Sequence, residues 1–156
     1  MGGHQERNKR AGTENVAGIV GIGTAVNLIY NEFDSYNNKL KYLRDYYITQ
    51  IEKNIPNIKL NGDKVKRLPG NANISFDGID AGQLLLNLDA YGICASAGSA
   101  CTSGSLEPSH VLIAIGLKEN LTQGALRITF GKDNTKEDVD FFISCIKNSV
   151  NKLRIF

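Results

Sequence analysis

The chain has 156 residues, of which 42% are hydrophobic and 22% charged, and its formal net charge is +2 at pH 7. These are the values of an ordinary folded domain, and they argue against wholesale disorder, a fibrous protein and a basic nucleic-acid-binding surface. The N-terminus is polar and basic, and no apolar run of about 20 residues is evident, so we expect neither a signal peptide nor a membrane partner.

The N-terminal third predicts two helices behind an irregular start. Residues 1–12 are polar and contain glycines, so no packed element is expected there. Thr13 is a predicted N-cap, and residues 14–30 predict a helix apolar enough to be buried nearly all round. A second, amphipathic helix, ending before Pro56, is predicted from apolar residues at spacings of three and four. Those residues are Tyr36, Leu40, Leu43, Tyr47 and Ile51.

The middle of the chain changes to the period of a strand. In residues 71–76, apolar and polar side chains alternate, as a half-buried strand requires. Asp80 and Gln83 form a start resembling a capping box for a short helix. Residues 93–95 then predict a brief strand.

The C-terminal third predicts two more helices and one more strand. Pro108 suits the first turn of a helix that ends at Gly116. A strand follows that places Arg127 opposite its apolar face. That face consists of Leu126, Ile128 and Phe130. Thr135 and Asp138 begin a last helix. Its apolar stripe is Val139, Phe142, Ile143, Ile146, Val150 and Leu153. The prediction is an α/β chain whose helices pack on a small, mainly antiparallel sheet.

The three cysteines fall into two kinds. Cys101 lies among Ser, Ala, Gly and Thr residues, which predicts a mobile loop over about residues 96–107 with an accessible, reactive thiol. A loop thiol without a role is the alternative. Cys94, in the predicted strand, and Cys145, on the last helix, are interpreted as small buried hydrophobic residues. The odd number and irregular spacing indicate free thiols in a reducing compartment, so we expect a cytoplasmic protein.

Other chemistry-bearing residues give weaker signals. Arg127 could bind a carboxylate through its planar guanidinium group, although a solvated or surface-paired arginine is the alternative. His4 and His110 do not fall at zinc-ligand spacing with the cysteines, so no metal site is predicted. The glycines between residues 18 and 23 lie inside a helical pattern, which favours close helix packing over a dinucleotide-binding loop.

Three sequence blocks then identify a family. Residues 98–111 read Gly-Ser-Ala-Cys-Thr-Ser-Gly-Ser-Leu-Glu-Pro-Ser-His-Val. This block resembles the active-loop signature of cysteine desulfurases of the iron–sulfur cluster assembly branch, within the class V aminotransferase family. Residues 2–7 with 10–15 resemble a second family block, and residues 126–131 a third, all in family order.

The resemblance implies a fold, and it covers the chain nearly end to end. It implies the C-terminal part of a pyridoxal-phosphate-dependent transferase of fold type I. Residues 1–30 would be the tail of the large cofactor domain, comprising a loop and a long connecting helix. Residues 31–156 would be the C-terminal small domain with its mobile cysteine loop.

The resemblance also implies roles for individual residues. Cys101 matches the nucleophile that takes sulfur from L-cysteine as a persulfide, releases alanine and passes the sulfur to an iron–sulfur scaffold or another acceptor protein. Arg127 matches the residue that binds the substrate carboxylate. Thr13 matches the one that reaches the cofactor phosphate of the neighbouring subunit in a homodimer.

One family feature is missing from the sequence. The family binds its cofactor through a lysine directly after a histidine, and this chain contains no His-Lys pair. We therefore expect a piece of the enzyme that is inactive alone. Two alternatives remain: a sulfur-relay or protein-binding module that never handles pyridoxal phosphate and, as a lesser one, a relative of selenocysteine lyases.

Overall fold

The N-terminal unit begins with a hairpin. The computed structural model describes residues 2–98 and 109–154, and the chain divides into two compact units, Met1–Tyr36 and Asn37–Phe156. Strands β1 (His4–Gln5) and β2 (Arg10–Ala11) pair antiparallel, and the turn between them has three residues with positive φ. No packed element was expected in residues 1–12; the hairpin that forms there is held by its own backbone groups, and its strand side chains are exposed apart from the half-buried Gln5.

Helix α1 (Val16–Asn54) is one continuous element of 39 residues, not the two predicted helices. No proline or glycine lies between residues 30 and 36, so nothing in the backbone stops the helix there. The predicted Thr13 cap was also wrong. Asn15 caps α1, since its side-chain Oδ1 accepts the backbone N–H of Gly18 at 3.0 Å. The helix ends before Pro56, as predicted.

The first half of α1 is exposed, which contradicts the predicted burial of residues 14–30. Its exposed apolar side chains are Val16, Ile19, Val20, Ile22, Val26, Leu28, Ile29, Tyr30 and Phe33. The predicted close packing of its glycines is absent too, since a Cβ at Gly21 or Gly23 would meet no described atom within 4 Å. The mean hydropathy of an 18-residue window reaches 1.3, so α1 is long and apolar enough to span a membrane, contrary to expectation. A single such helix is weak evidence for a span.

The Asn37–Phe156 unit contains a four-stranded antiparallel sheet in the order β3-β4-β6-β5. Strands β4 (Asn71–Phe76) and β6 (Ala125–Thr129) lie where the alternation predicted them. Strand β3 (Ile58–Leu60) was not predicted, because three residues are too few to show a period. Strand β5 (Ser96–Ala97) replaces the strand predicted over residues 93–95, which was wrong.

Four helices complete this unit in its described part. They are α2 (Ala81–Asp89), α3 (His110–Ala114), α4 (Glu119–Thr122) and α5 (Lys136–Leu153). Helix α4 was not predicted. The predicted caps of α2 and α5 are confirmed, since the Asp80 side chain accepts the N–H of Gln83, and Thr135 and Asp138 form a reciprocal capping box.

The core lies between the sheet and the apolar stripes of α1 and α5. The predicted stripe of α5 is buried except for Leu153, which is half-buried, and Cys145 is buried within it. On α1, the fully buried Tyr47 has its ring centroid 5.7 Å from that of Phe130 and 5.4 Å from that of Phe142. Aromatic contacts of this kind therefore join helix α1, the end of β6 and helix α5.

Candidate functional site

Arg127 lies in the middle of β6, on the face opposite Leu126 and Ile128, as its alternation predicted. Its side chain is half-buried. The residues directly opposite are Asn73 of β4 and Ser96 of β5. Because paired residues of antiparallel strands project from the same face, these three side chains lie side by side.

Hydrogen bonds extend this group across the whole sheet. The Arg127 guanidinium donates from an Nη atom to Ser96 Oγ at 3.2 Å. Asn61, which directly follows β3, donates from Nδ2 to Asn73 Oδ1 at 2.7 Å. Its backbone N–H also donates to the carbonyl of Asn73 at 2.9 Å. Asn61, Asn73, Arg127 and Ser96 therefore form a polar row that crosses the sheet from its β3 edge to β5.

The charge of Arg127 is unpaired in the described part of the chain. No carboxylate of those residues forms an ion pair with it, and its one hydrogen bond there is to the neutral Ser96. A guanidinium group has five N–H donors in a planar fork that matches a carboxylate. Carboxylate binding by Arg127, predicted from the sequence, stays a prediction.

One end of the Arg127 face is covered by apolar side chains. Leu112 of α3 and Leu117 form a buried cluster with Ala125, and Leu121 of α4 packs against it. Ala125 lies two residues before Arg127 and therefore on the same face of β6. The polar row is thus bordered by a dry surface on one side.

The predicted nucleophile, Cys101, lies outside the described residues, as do residues 99–107 of the predicted mobile loop. The two ends that flank this part of the chain are described, and both contact β6. Ala97 of β5 pairs with Leu126, and Leu112 of α3 clusters with Ala125. The described segments before and after this part of the chain are therefore both associated with β6, β5 as a paired strand and α3 through an apolar cluster. Residues 96 and 97 belong to a strand, so the predicted loop began too early.

Thr13 lies in the N-terminal unit, three residues before α1 begins, and its side chain is exposed. Its carbonyl accepts a hydrogen bond from the Arg10 guanidinium at 3.2 Å. Arg10 also forms an ion pair with Glu14 at 2.9 Å. These contacts do not test a role at a cofactor phosphate, which stays a prediction.

The lysines of the described residues lie at the surface, and the expected absence of a cofactor-binding lysine stays a prediction. Every lysine of these residues is exposed except Lys136, which is partly covered and forms an ion pair with Asp140 at 2.7 Å. Its hydrogen bond to Asp140 raises the pKa of Lys136, and the same bond lowers the pKa of Asp140. A cofactor-binding lysine needs the opposite environment, one that desolvates the amine and lowers its pKa.

Cys94 contradicts its sequence interpretation, whereas Cys145 confirms it. Cys94 is an exposed free thiol outside any strand, and Cys145 is buried. Cys94 lines an open cavity of about 520 Å³ together with Phe141 and Phe142 of α5. Strand β5 begins two residues after Cys94.

The comparisons with known proteins place the chain in a family. The class V aminotransferase family matches residues 3–142, so the chain belongs to that family. Cysteine desulfurase IscS of Dictyoglomus turgidum is 48% identical over 153 residues, covering 98% of this chain and 39% of that protein. Cysteine desulfurase IscS of Methanosarcina thermophila is 50% identical over 153 residues, covering 98% of this chain and 38% of that protein. The chain thus spans about two fifths of the length of these curated relatives.

Solved structures agree with the fold class predicted from the sequence. A NifS-like protein from Rickettsia africae matches with a TM-score of 0.82 at 31% identity, covering 97% of this chain and 39% of that one. A second NifS-like protein matches with a TM-score of 0.81 at 31% identity, covering 96% of this chain and 37% of that one. The prediction of helices on a small antiparallel sheet is confirmed by this likeness.

Sequence reasoning selected Arg127 but missed its neighbours in the polar row. Polar and apolar residues alternate at the start of β4, and Asn73 is one of the polar residues. The sequence alone therefore predicts the face on which Asn73 lies. Ser96 was assigned to a loop, and Asn61 carried no signal. Their position beside Arg127 depends on strand register, which no local pattern shows.

Proposed function

We propose that this chain supplies the sulfur-accepting cysteine and the carboxylate-binding arginine of a pyridoxal-phosphate-dependent cysteine desulfurase. The observation that carries the proposal is the position of Arg127. It lies without a carboxylate partner among the described residues, on the strand that pairs with β5 before the Cys101 segment and shares an apolar cluster with α3 after it. The names of the curated relatives support the same activity.

The proposed reaction at Cys101 is a transfer of sulfur. Its thiolate attacks the sulfur of L-cysteine, and an S–S bond forms while the C–S bond of the substrate breaks. The substrate carbon retains the electron pair of that bond and takes up a proton, so the organic product is alanine. The cofactor, when bound in the larger protein, supplies the electron sink for the substrate. Arg127 orients the substrate by its carboxylate.

The proposal extends to partners and location. Sulfur on Cys101 would pass to an iron–sulfur scaffold or another acceptor protein, and Thr13 would contact the cofactor phosphate of the neighbouring subunit of a homodimer. The presence of two free thiols, Cys94 and Cys145, supports a reducing cytoplasm as the compartment.

A chimeric enzyme tests this function. Residues 1–156 replace the matching part of the Dictyoglomus turgidum cysteine desulfurase, and the visible absorbance of the bound cofactor serves as the check on folding. We expect L-cysteine-dependent alanine release and a persulfide that mass spectrometry locates on Cys101. Cys101→Ser should remove the persulfide and keep the absorbance, because a hydroxyl cannot accept the sulfur. A chimera with cofactor absorbance but no persulfide on Cys101 would favour the sulfur-relay or protein-binding alternative.

A further inference from the structure

Asn73 is the closest polar neighbour of Arg127 on β4. The two residues are directly paired in the antiparallel ladder and project from the same face. The Cβ atoms of such a pair are about 4.5–5.5 Å apart. Both side chains are half-buried, as is Ser96 on the other side of Arg127. The Arg127 guanidinium is hydrogen-bonded to Ser96 on the side of β5, and the Asn73 amide is hydrogen-bonded to Asn61 on the side of β3, so a small ligand would contact both groups by lying between them.

The Asn73 amide is oriented with its Oδ1 toward Asn61, whose own Oδ1 is buried without a partner among the described residues. Asn61 is 5% exposed, and its Nδ2 donates to Asn73 Oδ1 at 2.7 Å and to Ser75 Oγ at 2.8 Å. The backbone carbonyl of Asn61 accepts a hydrogen bond from the Arg67 guanidinium at 2.9 Å, and this bond holds the segment after β3 in place. Since Oδ1 of Asn73 is directed to Asn61, the other branch of the amide carries the two N–H donors.

The donors of Asn73 and Arg127 are not matched by acceptors in the described part of the chain. Asn73 Nδ2 has no hydrogen bond there, and Arg127 uses one N–H on Ser96. A face that offers N–H donors from a cation and an amide, without a nearby carboxylate, is complementary to an anion with two acceptor oxygens. The apolar cluster around Ala125 borders this face, and a dry border strengthens such hydrogen bonds.

We infer that Asn73 is a second carboxylate-binding residue, whose Nδ2 donates to the carboxylate that Arg127 holds. The inference rests on the proposed function, because it takes the Arg127 face as the substrate-carboxylate site. Asn61 acts through Asn73 as a positioning residue. With Arg127 on one oxygen and Asn73 on the other, the carboxylate is fixed in rotation as well as in position.

The decisive variant is Asn73→Asp. Aspartate keeps an oxygen that can accept from Asn61, but it replaces the two N–H donors of Asn73 by a second, charged oxygen opposite Arg127. The carboxylate introduced at this position would then pair with Arg127 itself. Asn73→Ala removes the donor without adding charge and serves as the second variant. Asn71→Ala is the matched control, because Asn71 projects from the same face of β4 but pairs with Thr129.

The test uses the isotope-labelled 156-residue chain and sodium propionate as a probe that has a carboxylate and no amine. Proton–nitrogen correlation spectra follow the Asn73 amide and the Arg127 Nε–H, with sodium chloride at equal ionic strength as the reference. Both signals should shift with one dissociation constant. We expect Asn73→Ala to weaken binding about tenfold, the value of one hydrogen bond to a charged group. Asn73→Asp should weaken it more, and Asn71→Ala should leave it unchanged.

The possible results separate this inference from the proposed function. If Arg127→Ala abolishes propionate binding while both Asn73 variants bind as wild type does, the inference on Asn73 is overturned and the carboxylate site at Arg127 stands. If Arg127→Ala binds as wild type does, the carboxylate site itself fails, and the inference fails with it. Equal shifts with chloride would show a nonspecific anion effect and would also overturn the inference. The dispersion of the remaining signals reports whether each variant is folded.

Discussion

The hydroxyl of Tyr47 is buried and has no hydrogen-bond partner among the described residues. Replacing Tyr47 by Phe removes this polar group and keeps the ring. The contacts of the ring with Phe130 and Phe142, at centroid distances of 5.7 Å and 5.4 Å, are then retained. We therefore expect Tyr47→Phe to stabilise the Asn37–Phe156 unit, although most substitutions in a core are destabilising.

The magnitude follows from the cost of an unsatisfied hydroxyl. Burying a polar group without a partner costs about 1–3 kcal/mol, and this desolvation cost is absent in the Phe variant. The small void left in place of the oxygen is destabilising and offsets part of this gain. We therefore expect a net increase of about 1 kcal/mol in the free energy of unfolding. For a unit of this size the melting temperature should rise by about 4 °C.

The pH dependence gives an independent check on the same hydroxyl. Burial raises the pKa of Tyr47 above its usual range. Below a pH of about 10 the phenol is neutral in the folded and unfolded states. Above it, the unfolded state ionises and the folded state does not, so wild type loses up to about 1.4 kcal/mol per pH unit through this group. Tyr47→Phe lacks that loss, and the gap between the two proteins should widen above this pH.

The assay is urea unfolding followed by circular dichroism, with the slope of the transition compared between proteins. Tyr46→Phe is the matched control, because the Tyr46 hydroxyl donates a hydrogen bond to Asp140 on α5. That variant should gain no stability. A Tyr47→Phe protein less stable than wild type would refute the reasoning by showing that the buried hydroxyl has a partner. A gap that stays constant above the pKa of free tyrosine would refute it by showing that the hydroxyl is not desolvated.

Two further predictions concern cysteine accessibility and backbone packing. Limiting iodoacetamide should label the exposed Cys94 well before the buried Cys145, as peptide mass mapping would show; equal rates would contradict the assigned burial. Gly124→Ala should cost about 2–3 kcal/mol in urea unfolding, because an added Cβ would lie 2.1 Å from the carbonyl oxygen of Phe76. Gly131→Ala is the control and should cost much less, because its Cβ would meet Asn134 Oδ1 at an ordinary 3.7 Å.

The sequence by itself determined the elements whose signals are local. The capping box of Thr135 and Asp138 and the apolar stripe of α5 involve residues three and four positions apart, and both are confirmed. The alternation of β4 and β6 predicted these strands and the face on which Arg127 lies. Caps and periodicity depend on near neighbours in the chain, so a single sequence contains enough to predict them.

The tertiary structure alone decided which residues surround Arg127. Ser96 belongs to no strand pattern in the sequence, yet it pairs with Arg127, which is 31 positions away. Asn61 donates a hydrogen bond to Asn73 from outside any strand. Cys94 lies outside β5, which begins at Ser96, and it is exposed, whereas its apolar neighbours predicted a buried strand residue. Backbone pairing between distant segments sets strand register, and register determines which side chains become neighbours, so local sequence patterns could not reveal the polar row.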